Sequence, residues 1–533
     1  MKNDLGEGVG QSVRRNSSAF EIMVFCLVWA IVQWLSSGNL DGYNDMLENY
    51  AWSQSWDWGT HKHPPFFAWV VGVWFSWFPQ GDFSYRLLSY ANVAVALWGV
   101  ISLAQRLGMR AQGSTAVLLL MWSFPYSTLA AKFNANAQLL SLWPWTAVWL
   151  LASWQERGAK AYFFSVLLGL GAAMSMLSKY YSGIFLLGFL CPTLLTAQGR
   201  RWLMSPRPYL ALLVFCFALL PHVLWVIRHD WVTFQYAGDQ GGGETSWGYV
   251  LRFALVPLYY WLPGWLGCLI AFGIALRRQG SSFPGGANLA RLAWRSWQPK
   301  GWNDVLFWLA FTPWFLSLIF GIAGVAELST PWAIPIGYAY SLLWLRNLQH
   351  EMPLALPVTQ GLLHKAFAPV LVLVVMLGLG LTLTNANTGR ESYYRPSREV
   401  AQVIASRWTE RYSDIPLGWS SGAWAENAML AFYALPRVRT LPGFPDEQPA
   451  QVLPHVTWTS EGGVVICPLG RITADEPRRA GETACEQATQ GWLRRQGLPL
   501  LVDRIEVRRQ GWAFPRSVPF AYTVFDVMPS TRR

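Results

Sequence analysis

Between Phe20 and Leu383 the chain is a succession of apolar runs, each long enough to cross a hydrocarbon core of about 30 Å and separated by short joints bearing Arg or Pro. Such a chain folds as a bundle of membrane-spanning helices, because backbone surrounded by lipid must satisfy its own hydrogen bonds. After Thr384 the runs stop. Composition agrees: 53% of the residues are hydrophobic and 13% charged, where a soluble domain carries roughly 25% charge.

The expected spans lie at 19–37, 83–105, 113–131, 134–155, 161–178, 180–198, 208–227, 250–276, 303–325, 330–346 and 366–384. Phe66–Phe78, bounded by Pro64-Pro65 and Pro79, is short and rich in Trp and Phe, which suits an interfacial or partly inserted helix. Counting it as a crossing would invert the charge bias of every later joint. With the N-terminus cytoplasmic, the cytoplasmic joints hold Arg14, Arg15, Arg106, Arg110, Arg157, Lys160, Arg200, Arg201, Arg207, Arg277, Arg278, Arg291, Arg295, Lys300, Arg346 and Lys365. The opposite joints hold mainly Lys62, Arg86, Lys132, Lys179 and Arg228. The net charge of +11 therefore reflects membrane topology and argues against nucleic acid as a partner.

The expected architecture is mainly α: a polytopic bundle of about 11–13 transmembrane helices over residues 1–384, with a first outer loop at 36–65 and a soluble α/β or α+β domain at 385–533. The first apolar run leads into an aromatic polar loop without a small-residue cleavage site, so it reads as an anchor. In the tail, Ser397–Tyr412 reads as a helix with Ser397 as its cap and Glu399 in its first turn. Gly463–Cys467, Val502–Arg508 and Phe520–Val527 read as strands, the last two paired. Cys26, Cys191, Cys216 and Cys268 fall in apolar runs, whereas Cys467 and Cys485 lie in the tail and are candidates for a disulfide in an oxidising compartment.

On this topology the unusual polar residues of the body face outward together: Asp41, Asp45, Glu48, His61, Lys62, His63, Lys132, Asn134, Asn136, Lys179, Tyr180, Tyr181, Arg228, His229, Asp230 and Glu327. Each alone is explained as an interfacial charge; their convergence on one side points to one polar site. Three stretches are specific. The first is Asp45-Met46-Leu47-Glu48-Asn49-Tyr50-Ala51-Trp52-Ser53 followed by Gly59-Thr60-His61-Lys62-His63-Pro64-Pro65. The second is Phe133-Asn134-Ala135-Asn136-Ala137-Gln138-Leu139, and the third Leu177-Ser178-Lys179-Tyr180-Tyr181 with Pro221-His222 and Arg228-His229-Asp230 beyond it.

These stretches resemble the protein-O-mannosyltransferase-like and aminoarabinose-transferase-like (ArnT-like) glycosyltransferases of the GT-C superfamily, over roughly residues 20–380. The resemblance places Asp45 on the family's first-loop carboxylate, counted back from His63, with Asp41 as competitor. Met46 stands where relatives often have a second acid, and Asn136 where many carry Asp. It implies a GT-C fold and transfer of a sugar from a polyprenyl-phosphate (undecaprenyl-phosphate-type) carrier at the periplasmic face of a bacterial inner membrane. The acceptor would be lipid A, another cell-envelope glycan or a protein.

The physical chemistry fits that expectation. A lipid-borne phosphate leaving group needs cations, and Lys179, Arg228 and Lys62 are the candidates, Lys179 first. A carboxylate opposite would take the proton of an attacking hydroxyl, a role assigned to Asp45. His63, Glu48, Tyr180, Tyr181, Asn136 and Trp52 complete the expected substrate site. Trp52, Trp56, Trp58 and Tyr50 either stack on the sugar or form an interfacial aromatic belt. His61, His63 and Glu48 have the residue types of a divalent-metal site, but their spacing is weak evidence and a satisfied turn histidine beside Pro-Pro is the favoured reading. Gly241-Gly242-Gly243-Glu244 reads as a lid or, less specifically, a phosphate-cradling loop. A transporter or flippase of lipid-linked sugars is the competing class, and would need polar residues on both faces and at mid-depth. A ligase or polymerase of lipid-linked oligosaccharides differs only in donor length.

Overall fold

Among the described residues of the computed structural model, seven helices are long and apolar enough to cross a membrane: Ser18–Ser36, Asp82–Arg106, Ala159–Ser178, Arg207–Arg228, Trp247–Arg278, Val305–Ile322 and Ala355–Thr388. The structure describes residues 2–42, 44–239, 246–279, 286–351, 353–388, 391–447, 460–472, 483–511, 514 and 517–529. The glycine stretch 241–244 lies outside them. Each of the seven coincides with an expected span. An eighth crossing is formed if Ser182–Leu195 and Ala197–Leu203, bent by 109°, count as one. Phe66–Trp77 is a separate apolar helix of 12 residues.

Three expected spans are not continuous helices: 180–198 is the bent pair, and two others are interrupted beside prolines. The stretch 113–131 forms the helix Gly113–Met121 and then turns, and Pro125, which lacks an N–H, sits at the break. The stretch 330–346 is built from 3-10 turns at Thr330–Ala333 and Ile336–Ala339 before the helix Tyr340–Glu351. Pro331 and Pro335 punctuate it, and Gly337 lies where a Cβ would collide with the Trp261 indole. The helix Ala135–Gln155, over the expected span 134–155, is not among the seven; it contains Pro144 and is capped by Asn134, whose Oδ1 accepts the Asn136 and Ala137 N–H groups, each at 3.1 Å.

The chain divides into two compact units. The first comprises residues 1–30, 58–67 and 87–375. Its helices approach closely where small residues permit: a Cβ on Gly169 would strike the Ala211 carbonyl, and one on Gly171 the Trp149 ring. A buried polar set crosses it, with Asn92 bonded to Ser141 and Gln138, and its amide donated to the Ala137 carbonyl.

The second unit comprises residues 31–57, 68–86 and 376–533. Its centre is a five-stranded mixed sheet in the order β2-β1-β3-β5-β4, formed by β1 (Leu417–Gly422), β2 (Arg439–Thr440), β3 (Gly462–Arg471), β4 (Leu501–Val507) and β5 (Phe520–Val527). β1 runs parallel to β2 and β3, while β5 is antiparallel to both β3 and β4. Trp419, Leu441, Val465, Cys467, Trp492, Leu493, Leu498, Phe525 and Val527 form its core. Cys467 is bonded to Cys485, joining β3 to the helix Ala484–Arg495. The helix expected from Ser397 is present as Ser397–Arg411, but Pro396 is its cap and Ser397 makes no capping bond.

Candidate active site

In the first unit the Gly59–His63 turn is closed by Thr60, whose N–H and hydroxyl both donate to the His63 carbonyl at 3.0 and 2.9 Å. The same hydroxyl oxygen accepts the His63 and Lys62 N–H groups, and Pro64-Pro65 carry the chain into the next helix. Gly59 is required by space, since a Cβ there would enter the Trp225 ring. The turn presents Lys62 over the Tyr236 ring, 5.8 Å from its centroid, and sets the His63 ring edge-on to Phe67 and Tyr236.

Lys179 emerges where the span Ala159–Ser178 ends and the backbone turns extended. Its ammonium donates to Asn136 Oδ1 at 2.7 Å and lies 5.1 Å from the Trp332 ring centroid. The Asn134 cap that starts the neighbouring span thus places Asn136 to receive it. Lys179 and the first-loop turn also share an electrostatic neighbourhood. Burial, then the charges of Lys179, Lys62 and His61, push the His63 imidazole down to about 3. Burial and Lys62 push His61 down to about 4. Both rings are therefore neutral at physiological pH, and the positive charge resides on the two lysines.

Tyr180 and Tyr181, expected to touch substrate, tie helices together through their hydroxyls. The Tyr180 hydroxyl bonds to His222 Nε2 at 2.8 Å and Thr233 Oγ1 at 3.0 Å, while His222 Nδ1 bonds to the Trp58 carbonyl. The Tyr181 hydroxyl bonds to Ser317 at 2.6 Å. The His222 relay pins the first-loop segment at Trp58 to the segment bearing Lys179. Its sequence signal was a histidine directly after Pro221 inside an apolar run, a position where an ionisable group needs a reason. Arg228 ends the span Arg207–Arg228, is exposed, and makes no ion pair among the described residues.

In the second unit the helix Asp45–Ser53 begins after Asn44, which adopts a left-handed conformation at φ 59°. Asp41 supplies the cap: its two carboxylate oxygens accept the Asp45 and Met46 N–H groups at 3.0 and 2.9 Å. That engagement gives Asp41 a structural task. Arg86, 3% exposed, donates to the Leu40 and Asn39 carbonyls behind the helix. Tyr85 donates to the Met46 carbonyl at 2.9 Å. Glu48, 9% exposed, accepts a hydrogen bond from the Trp424 indole, and Trp52 packs 6.1 Å from the same ring. Among the described residues no group of three His, Cys, Asp or Glu side chains is placed to hold a metal ion.

The sequence matches a family model described as dolichyl-phosphate-mannose-protein mannosyltransferase over residues 62–225. No curated protein matches it. Among solved structures, that of ArnT from Cupriavidus metallidurans bound to undecaprenyl phosphate is similar, with a TM-score of 0.54 and 16% identity over 94% of this chain and 97% of that one. The same protein in its apo state gives 0.53 at 16% identity over the same shares. Identity at this level speaks for the fold, and the fold expected from the first-loop motif is borne out. This multi-pass membrane chain carries an ArnT-like fold, with a small C-terminal sheet domain.

Proposed function

We propose that the protein transfers a sugar from a polyprenyl-phosphate carrier to a cell-envelope acceptor. The observation that carries this reading is Lys179, held at 2.7 Å by Asn136 beside a turn bearing Lys62 and a neutral His63, in a fold shared with a protein crystallised with undecaprenyl phosphate. Compact ammonium groups suit a phosphate that gains negative charge as it departs.

In this mechanism an acceptor hydroxyl attacks the anomeric carbon. The bond from that carbon to the phosphate oxygen breaks, and its electron pair goes to the phosphate, where Lys179 and Lys62 stabilise it. Asp45 takes the hydroxyl proton, and configuration inverts. Asn136 orients Lys179, and Arg228 meets the carrier phosphate at the end of its span. Where the acceptor is itself an anion, such as a phosphate of lipid A, Asp45 orients it instead. The reaction lies at the periplasmic face of a bacterial inner membrane. The basic joints on the opposite side and the Cys467–Cys485 disulfide, a bond of oxidising compartments, support that placement.

The test is lipid and glycan mass spectrometry of a deletion strain against its parent, with complementation by wild type and by Asp45→Asn. The expected result is one sugar modification that disappears on deletion and returns with wild type alone. An unchanged envelope would end the transferase reading. Restoration by Asp45→Asn would remove Asp45 as base.

A further inference from the structure

The helix Asp45–Ser53 has nine residues, too few to be stable alone in water, where about 12–15 are marginal. What orders it lies largely on the far end of the sequence. Tyr50 sits between Phe75 and Phe432, 5.6 and 5.1 Å between centroids. Gln80, at the start of the adjacent turn, donates its amide to the Ala431 and Phe432 carbonyls. Phe432 and Trp424 belong to one helix of the soluble domain, Trp424–Tyr433, which Arg395 ties through Glu426 at 3.2 Å.

Trp424 makes the most pointed of these contacts. Asp45, Glu48 and Trp52 stand at i, i+3 and i+7, one face of the short helix. On that face Trp424 donates its indole N–H to Glu48 and lays its ring against Trp52. The residue assigned as base lies one turn away.

We propose that Trp424 is a positioning residue for the base expected of the transferase: by binding Glu48 and packing on Trp52 it fixes the helix that presents Asp45, so that the C-terminal domain orders the first outer loop. Glu48 is thereby a structural acceptor, and its expected contact with substrate is replaced by the contact with Trp424. The inference rests on the transferase reading for its catalytic consequence, but its structural content is separable.

The experiment uses full-length protein in lipid nanodiscs and hydrogen exchange of the 45–53 peptide. Trp424→Phe keeps the ring and removes the donor. Losing a hydrogen bond to a charged group speeds opening roughly tenfold to hundredfold, so exchange in 45–53 rises by that factor while β3 and β5 stay protected. Glu48→Met, which attacks the same bond from the other side, gives the same rise, and Glu48→Gln, which retains an acceptor oxygen, gives less. Binding of undecaprenyl phosphate, read by native mass spectrometry, is unchanged in Trp424→Phe, while formation of the sugar-modified product in cells falls. Unaltered exchange in 45–53 with both Trp424→Phe and Glu48→Met overturns the positioning role. So does equal exchange in Glu48→Met and Glu48→Gln. A deletion strain with an unchanged envelope refutes the transferase reading separately, whatever the exchange shows.

Discussion

Replacing Lys179 by Met removes a charge from a side chain of similar length. With the Lys179 Nζ held at 2.7 Å by Asn136, a phosphate oxygen about 4 Å from the ammonium gains about 4 kcal/mol of attraction at an effective dielectric of roughly 20. Lys179 is partly exposed, and solvent screening reduces this to about 2–3 kcal/mol, roughly a 30- to 150-fold loss of affinity. Asn136→Leu leaves the charge but releases it, and the expected loss is about tenfold, the worth of one charge-assisted hydrogen bond at the low end of its range. The assay is titration of the purified protein in nanodiscs with undecaprenyl phosphate, read by native mass spectrometry. Loss of the Lys179 charge also relieves one of the causes depressing His63, so the His63 imidazole titrates higher in the variant, as histidine NMR would show. Undiminished affinity in Lys179→Met would refute the assignment of this lysine to the carrier phosphate.

Three further outcomes are expected. The disulfide closes a separation of 18 residues, so Cys467→Ala with Cys485→Ala lowers soluble-domain stability by about 3 kcal/mol, seen as faster hydrogen exchange in β3 and β5; unchanged exchange would contradict it. His63 titrates at 6.5 when unfolded and at about 3 when folded. The folded state thus binds fewer protons in between, and the stability His63 contributes is full above 6.5 and lost as pH falls toward 3. Melting in detergent across pH 4–8 should show His63→Gln flattening that slope. Gly59→Ala drives a methyl into Trp225 and costs about 1–3 kcal/mol; Trp225→Leu in the same chain should recover much of the lost melting temperature.

Much of this architecture was legible because its signals are local. Seven spans follow from continuous apolar length, and β3, β4 and β5 from short alternating runs bounded by Gly and Pro. The stretches 113–131 and 330–346 misled because their hydropathy is membrane-like while Pro125, Pro331 and Pro335 interrupt the helix, and summed hydropathy does not register a missing N–H. Side-chain assignments were harder. Tyr180 and Tyr181 were singled out as polar groups beside a lysine, but nothing in their neighbourhood announces His222, Thr233 or Ser317 as their partners. Asp41 and Asp45 are alike in sequence; only the backbone turn at Asn44 shows which one caps the helix. Trp424 was invisible, since one Trp among 33 carries no mark of the acid it binds 376 residues away.

The second unit joins residues 31–57 to residues 376–533, and Arg509 donates to the Gly38 carbonyl across 471 positions. A ribosome adding roughly 5–20 residues per second needs about half a minute to a minute and a half to cover that distance. For most of that interval the newly made loop around Asp45 lacks Trp424 and Phe432, and to its end it lacks Arg509. The last segment synthesised therefore acts as a time stamp on maturation, and a chain stalled or clipped before it would insert in the bilayer yet keep its earliest loop unsettled.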